Sequence, residues 1–187
     1  MKKLMIAALM MLGTSAAFAG DSEPLKAVLD AKDYKQAVQL LNQNLSQLAN
    51  AQEKAKAYEH VTKLALQTYD KQNTIQTNNV QAQLLKGKIE PLDTLAFYES
   101  AYNALVNGLE CVKYDAEPNE KGKVKPKYTS ALGPQLTNAR IALVNAGNYS
   151  SQKNDQDGVL KYWGLYLDTD DNPLFKATKE SEKQYFG

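Results

Sequence analysis

The chain has 187 residues, of which 23% are charged, and its formal net charge at pH 7 is +1. Such a balanced charge gives no general attraction to nucleic acid or to an anionic membrane. Arg140 is the single arginine, and this scarcity disfavours both phosphate and carboxylate recognition. One cysteine, Cys111, and one histidine, His60, are too few for a disulfide framework or for several imidazole sites. We expect Cys111 to be buried and His60 to lie on the surface, or half-buried, in a helix.

The N-terminal segment 1–19 has the pattern of a secretory signal peptide. Two N-terminal lysines precede an apolar stretch that ends in Ala17-Phe18-Ala19, the small-x-small pattern found before a signal peptidase site. A membrane anchor is the alternative, but no second apolar run of about 18 residues follows. The prediction is a mature chain that starts near Gly20, without a lipid anchor or stable membrane insertion, in the periplasm or secreted.

The remaining chain, residues 20–187, shows the apolar period of amphipathic helices and almost no strand-like alternation. Residues 34–48 and 51–69 each place their apolar side chains on one stripe. In residues 71–90, the glutamines and Leu84-Leu85 could extend the preceding helix, whereas the asparagines and Gly87 weaken the helical pattern. The sequence predicts one all-α domain of six to seven helices, packed as stacked antiparallel hairpins.

The strongest helical pattern begins after Asp93, which is a good N-cap residue. Two apolar stripes follow along this helix, one bulky and one made mostly of small residues. The bulky stripe is Leu95, Tyr98, Tyr102, Leu105, Leu109 and Val112, and the second is Phe97, Ala101, Ala104, Gly108 and Cys111. Because the stripes lie about 100° apart on a helix, we expect this helix to be buried between two neighbours.

Residues 115–128 predict a loop, because they contain two prolines, one glycine and four lysines. The lysines form either a basic patch for an acidic partner or a solvated linker. Three acidic residues in the same stretch weaken the positive field, which favours the linker. Beyond the loop, Gly133-Pro134 predicts the start of the next helix, because proline suits the first turn. That helix presents Leu136, Ala139 and Leu143 on one face, and the following helix presents Val159, Leu160, Trp163, Tyr166 and Leu167.

The polar stretch around residues 151–158 raises the question of a calcium loop. Asp155 and Asp157 supply two carboxylates, but Lys153 stands where an oxygen ligand is needed and Gly164 stands where a helix-loop-helix calcium site has its closing glutamate. The aspartates of 168–172 also lack a closing glutamate. We therefore interpret the stretch as the corner of a helical hairpin in which Asp155 caps the second helix.

Two segments of the chain share one spacing. Asp33, Ala37 and Leu41 are four residues apart, as are Asp155, Val159 and Trp163. In this the sequence resembles the tetratricopeptide repeat family, whose unit is a helical hairpin of about 34 residues. The residues that carry the resemblance, and that it assigns to repeat packing, are Tyr34, Ala37, Leu41, Gly147, Val159, Trp163 and Pro173. Leu143 stands where the family has tryptophan, and outside these two hairpins the chain matches only as helices of suitable length. The later hairpin also resembles exported repeat proteins of the Bacteroides and Prevotella group of bacteria.

The resemblance implies a scaffold that presents a concave surface to a protein or peptide partner, without a cofactor, a metal or catalysis. Arg140 and Tyr149 are the candidate partner contacts, although a solvent-facing Arg140 and a tyrosine packed in a helix seam are the simpler alternatives. The second hypothesis is a small helical periplasmic ligand-binding protein or hydrolase. A homo-oligomer, or a longer array of which this chain is a fragment, would cover the final helix. Asp93-Thr94-Leu95 resembles an acceptor triplet for O-glycosylation, but the capping role already explains Asp93.

Overall fold

A computed structural model describes residues 20–176, which form six α-helices and two short 3-10 helices and contain no strand. The α-helices are α1 (Glu23–Leu29), α2 (Tyr34–Asn44), α3 (Ala51–Leu84), α4 (Thr94–Asp115), α5 (Thr129–Gln152) and α6 (Gln156–Asp168). The 3-10 helices are Leu45–Gln47 and Pro173–Phe175. The predicted all-α fold is confirmed. The predicted signal peptide and the end of the predicted last helix, from residue 177 onward, lie outside the described residues. No described helix combines the length and the apolar character needed to cross a membrane.

The helices begin where the sequence supplies capping side chains. The Asp93 carboxylate accepts a hydrogen bond from the Ala96 N–H at 2.9 Å, and Asp155 accepts one from the Gly158 N–H at 3.0 Å. Both predicted caps are therefore confirmed. Asn50 caps α3 in the same way, through the N–H of Glu53 at 3.0 Å.

Helix α3 continues to Leu84, through the polar segment whose helical pattern is weak. The segment that returns toward α4 is held against it by amide side chains. Asn79 both accepts from the Glu90 N–H and donates to the Glu90 carbonyl, each at 2.8 Å, and Gln72 accepts from the Asp93 N–H at 3.0 Å. The asparagines and glutamines that make this segment a poor amphipathic helix are in part the groups that stabilise it.

Helix α4 is buried on two sides, as its two stripes predict. Its most extensive contacts are with α3 and α5, the helices before and after it in the chain. All five residues of the small stripe are buried, and a Cβ at Gly108 would overlap the Leu136 side chain of α5. The bulky stripe is buried less uniformly, because Leu95 at its start is exposed. Two hydrophobic clusters result, and Tyr58 and Leu64 of α3 pack against both.

Helix α5 begins one turn earlier than the sequence predicts, so that Pro134 lies inside it instead of in its first turn. The reason is a carboxylate from another helix. Asp115, the last residue of α4, accepts hydrogen bonds from the N–H groups of Lys127, Tyr128 and Thr129 and from the Thr129 hydroxyl, at 2.8 to 3.0 Å. These bonds satisfy N–H groups at the start of α5 that have no partner within the helix.

The buried face of α6 differs from the predicted stripe. Leu160 and Leu167 are 73% and 67% exposed, whereas Tyr162 is buried. Within the described residues, α6 packs mainly against α5, and Tyr162 is the side chain that points toward the core. The periodicity identifies α6 as a helix. It does not determine which face of α6 is buried, because apolar residues lie on several faces.

Candidate functional site

An open cavity of about 340 Å³ lies between α3, α4 and α5. We call it the amide groove, and it is lined by Tyr69, Asp70, Asn73 and Gln76 of α3, Phe97 and Tyr98 of α4, and Asn138, Ile141, Ala142 and Asn145 of α5. Three helices that follow each other in the chain thus contribute to one surface. The groove combines apolar rings with polar amide side chains.

The floor of the amide groove is aromatic. The Phe97 ring stacks on Tyr69 with centroids 5.1 Å apart and on Tyr98 with centroids 5.2 Å apart. All three side chains are buried. Because they are locked by packing, the floor offers a rigid apolar surface that loses little side-chain freedom when a ligand covers it.

The rim of the amide groove carries unpaired amides. Asn73, Gln76, Asn138 and Asn145 make no side-chain hydrogen bond to any residue in 20–176. Each amide group offers one acceptor and two donors, the same kinds of group that a peptide main chain presents. The exposed Ile141 side chain lies among them. The rim is therefore suited to an extended peptide segment, whose N–H and C=O groups need partners of both kinds.

A second, smaller cavity of about 230 Å³ adjoins the amide groove across the Tyr98 ring, which lines both. Tyr149, one of the two predicted partner contacts, lines this smaller cavity, and its ring lies 5.6 Å from that of Tyr98. Tyr149 therefore lies beside the amide groove, as a partner contact would. It also packs against the hydrophobic core between helices, as the alternative interpretation expects.

Two charged groups of the smaller cavity, Lys161 and Glu99, are paired with each other. Lys161 donates to Glu99 at 2.6 Å, and the Tyr162 hydroxyl donates to the same carboxylate at 2.9 Å. Burial and the hydrogen bond to Glu99 both raise the pKa of Tyr162, so its hydroxyl stays protonated at neutral pH. This arrangement stabilises the contact between α4 and α6.

Arg140 is not available to a partner, contrary to both expectations for it. Its side chain is only 2% exposed. The guanidinium donates to the Thr169 hydroxyl at 3.0 Å and to the Tyr166 carbonyl at 3.2 Å, and it stacks over the Tyr166 ring at 4.0 Å. It also approaches the Asp170 carboxylate at 3.5 Å. Arg140 thus ties α5 to the end of α6, because an arginine can be buried when its donors are satisfied.

The residues assigned to repeat packing fall into two separate places. Tyr34, Ala37 and Leu41 are buried on α2. In the later hairpin, the Trp163 indole donates to the Val144 carbonyl at 3.2 Å, and a Cβ at Gly147 would overlap the indole ring. Val159 is half-buried on α6, and Pro173 starts the last 3-10 helix. The spacing shared by the two segments therefore corresponds to two helices that begin in the same way, at an aspartate cap.

The two residues of reactive type lie apart from the groove. Cys111 is fully buried and donates to the Ala55 carbonyl at 3.3 Å; burial, assisted by the nearby carboxylates of Asp115 and Glu59, raises the pKa of its thiol to about 12. His60 is half-buried on α3, with Nε2 3.1 Å from the Ala31 carbonyl oxygen.

Within residues 20–176, no three histidine, cysteine, aspartate or glutamate side chains come together as metal ligands would. No protein-family model, no curated protein and no solved structure matches the chain. The fold and the site together define an all-α protein with an open, amide-rimmed aromatic groove.

Proposed function

We propose that the protein is an exported helical-repeat scaffold that mediates protein–protein interaction in the cell envelope. The observation that carries the proposal is the amide groove, in which four unpaired amides surround a rigid aromatic floor. An extended segment of a partner would place apolar side chains on the rings and would pair its main chain with the amides.

The chemistry of the lining residues favours binding over hydrolysis. Asp70 is the one carboxylate among the residues that line the amide groove, and neither histidine nor cysteine lines it. General acid–base catalysis by carboxylates uses a pair of them at a defined separation. The groove is also open, whereas small-molecule sites usually enclose most of the ligand surface. A protein partner therefore fits it better than the alternative of a small ligand or a hydrolase substrate.

The repeat character of the scaffold is part of the same proposal. Helices that are consecutive in the chain make the most extensive contacts, and α5 and α6 are joined by a short corner, 153–155. Asn154 in this corner has φ of 56°, a conformation that asparagine tolerates after a helix. These features support a stack of hairpins in which one surface is assembled from successive helices.

Site-specific photo-crosslinking tests the groove. A benzophenone side chain is introduced at Ile141, which is 42% exposed in the groove, and in a matched control at Ile89, which is 47% exposed and does not line it. In the envelope fraction, we expect a protein adduct from position 141 and none from position 89. Equal adducts from both positions, or no adduct from 141, would refute the proposed site.

A paired substitution tests the amides. Asn138→Ala with Asn145→Ala should reduce the yield of the adduct from position 141 about tenfold, because two hydrogen bonds to the partner are lost. The matched control is Asn78→Ala with Gln81→Ala on the exposed surface of α3, which should leave the yield unchanged. An equal loss in both pairs would contradict a role for the groove amides.

Export is tested on the protein itself. The proposal requires that the protein recovered from the envelope has lost the segment 1–19. Intact mass and N-terminal sequencing should give a chain that starts at Gly20. A chain that retains Met1 in the cytoplasmic fraction would contradict the proposed location.

A further inference from the structure

A separate cavity of about 360 Å³ lies where α3 begins, α4 ends and the connection 116–128 passes between them. We call it the lysine cavity, and it is lined by Gln52, Ala55, Tyr114, Asp115, Glu117, Asn119, Lys123, Lys125, Lys127 and Tyr128. It is about 24 Å along α4 from the amide groove, since Tyr98 and Tyr114 are 16 positions apart and each position adds about 1.5 Å. The two sites can therefore be tested independently.

Three lysines at alternate positions share the lysine cavity. Lys123, Lys125 and Lys127 all line it, whereas Val124 between them does not and is exposed. Residues 123–126 form neither helix nor turn, and Lys127 lies in a bend. None of the three ammonium groups lies within ion-pair distance of a carboxylate in residues 20–176.

The segment that carries the lysines is fixed at both ends. Asn119 accepts hydrogen bonds from the N–H groups of Lys121 and Lys123 at 3.0 and 3.1 Å, and Asp115 accepts one from the Lys127 N–H at 2.8 Å. The lysine stems therefore start from a backbone that is already ordered. Binding of a ligand would not carry the entropic cost of ordering this connection.

The carboxylates that line the lysine cavity form no ion pair with its lysines within residues 20–176. Burial would raise the pKa of Asp115, but its hydrogen bonds from Lys127, Tyr128 and Thr129 outweigh that effect and lower it. Asp115 is thus ionised, but both of its oxygens already accept hydrogen bonds. Glu117 is the other lining carboxylate. The ammonium of Lys54 lies 5.2 Å from the centroid of the Tyr114 ring, which lines the cavity.

We propose that the lysine cavity binds an extended acidic peptide segment of a protein partner, with carboxylates at alternate positions paired to Lys123, Lys125 and Lys127. Alternate side chains of an extended peptide point to the same side, so its carboxylates can all face the cavity that the three alternate lysines line. A peptide can also present a main-chain N–H to Glu117, whereas a phosphate chain has no donor to offer there.

The test uses the full chain and a fluorescein-labelled peptide of four Glu-Ser repeats, followed by fluorescence anisotropy at low salt. We expect binding that weakens about tenfold in Lys123→Gln/Lys125→Gln/Lys127→Gln, because three exposed ion pairs are lost. The matched control, Lys32→Gln/Lys35→Gln/Lys88→Gln, removes the same charge from exposed lysines elsewhere and should bind as the native chain does. Both variants should keep the native circular dichroism spectrum. An equal loss of binding in both would overturn the proposal.

Two further probes identify the ligand class. A peptide with four consecutive glutamates followed by four serines has the same composition, and it should bind more weakly if the alternate spacing matters. Inorganic polyphosphate of equal charge should also bind more weakly. Equal or tighter binding of either probe would overturn the proposed acidic-peptide site and would indicate a general anion site instead. The groove substitutions Asn138→Ala/Asn145→Ala should leave binding of the Glu-Ser peptide unchanged, so failure at one site is distinguishable from failure at the other.

Discussion

Substitution of Asp115 by alanine should lower the free energy of unfolding by about 3 kcal/mol. Its carboxylate accepts four hydrogen bonds, three of them from the backbone where the connection 116–128 becomes α5. Hydrogen bonds to a charged group contribute about 1.5–3 kcal/mol each when removed singly, and they are not additive. The expected cost of the substitution is well below the summed free energies of four separate hydrogen bonds. Loss of a helix cap costs only about 1 kcal/mol, and water can hydrogen-bond to part of the exposed connection.

The matched control is Asp93→Ala, since Asp93 caps α4 through one N–H and is exposed. It should cost about 1 kcal/mol. Urea denaturation followed by far-ultraviolet circular dichroism gives both free energies, and hydrogen exchange should show lost protection at Tyr128 and Thr129 only in the Asp115 variant. Equal costs for the two substitutions would refute the assignment of Asp115 as the residue that sets the start of α5.

The same residue predicts a pH dependence. The folded-state pKa of Asp115 lies below its ordinary value of 3.8, so its contribution to stability is present above that pH. It is lost as the pH falls through the folded-state pKa, because the unfolded chain binds the proton first. The difference in stability between the native chain and Asp115→Ala should therefore shrink below about pH 4. A difference that grows on acidification would contradict the hydrogen-bonded, ionised state.

Three further substitutions and one chemical modification test the packing. Gly147→Ala should destabilise by about 1–3 kcal/mol in thermal or urea unfolding, because a Cβ would overlap Trp163, whereas Gly164→Ala, with open space around it, should stabilise by up to about 1 kcal/mol. Arg140→Ala should destabilise by about 3 kcal/mol, since it removes a buried side chain and its hydrogen bonds to Thr169 and Tyr166; an unchanged unfolding midpoint would restore Arg140 as a surface residue. A thiol reagent at mildly alkaline pH should not modify Cys111 until the chain is unfolded, and rapid reaction of the native protein would contradict its burial and its pKa of about 12.

The features that the sequence predicts well are those with local causes. The caps at Asp93 and Asp155 lie within three residues of the groups they bind, and the two stripes of α4 arise from its own period. The start of α5 could not be predicted in this way, because its capping carboxylate, Asp115, is 14 residues away on another helix. A polar residue at a helix C-terminus gives no indication in sequence that it caps the next helix.

Arg140 illustrates a second limit of periodicity. It lies next to the apolar stripe of α5, where a long side chain can turn either toward solvent or toward the core. The partners that bury it, Thr169 and Tyr166, lie 29 and 26 residues further along the chain. The amide groove has the same kind of origin, because its lining residues come from three helices and carry no shared motif.

The two proposed sites differ in the force that would hold a partner, and this difference separates them experimentally. The amide groove offers neutral amides and aromatic surface, and Asp70 is the one charged side chain that lines it, so binding there should depend less on salt than binding at the lysine cavity. The lysine cavity offers exposed ammonium groups, whose attraction is screened over about 8 Å at physiological ionic strength. One partner segment that occupied both would need about seven extended residues between them, since each spans at most about 3.6 Å of the roughly 24 Å separation. A single partner that occupied both sites would lose only part of its affinity at high salt. If the partners are separate, the one at the lysine cavity should dissociate at high salt and the one at the amide groove should stay bound.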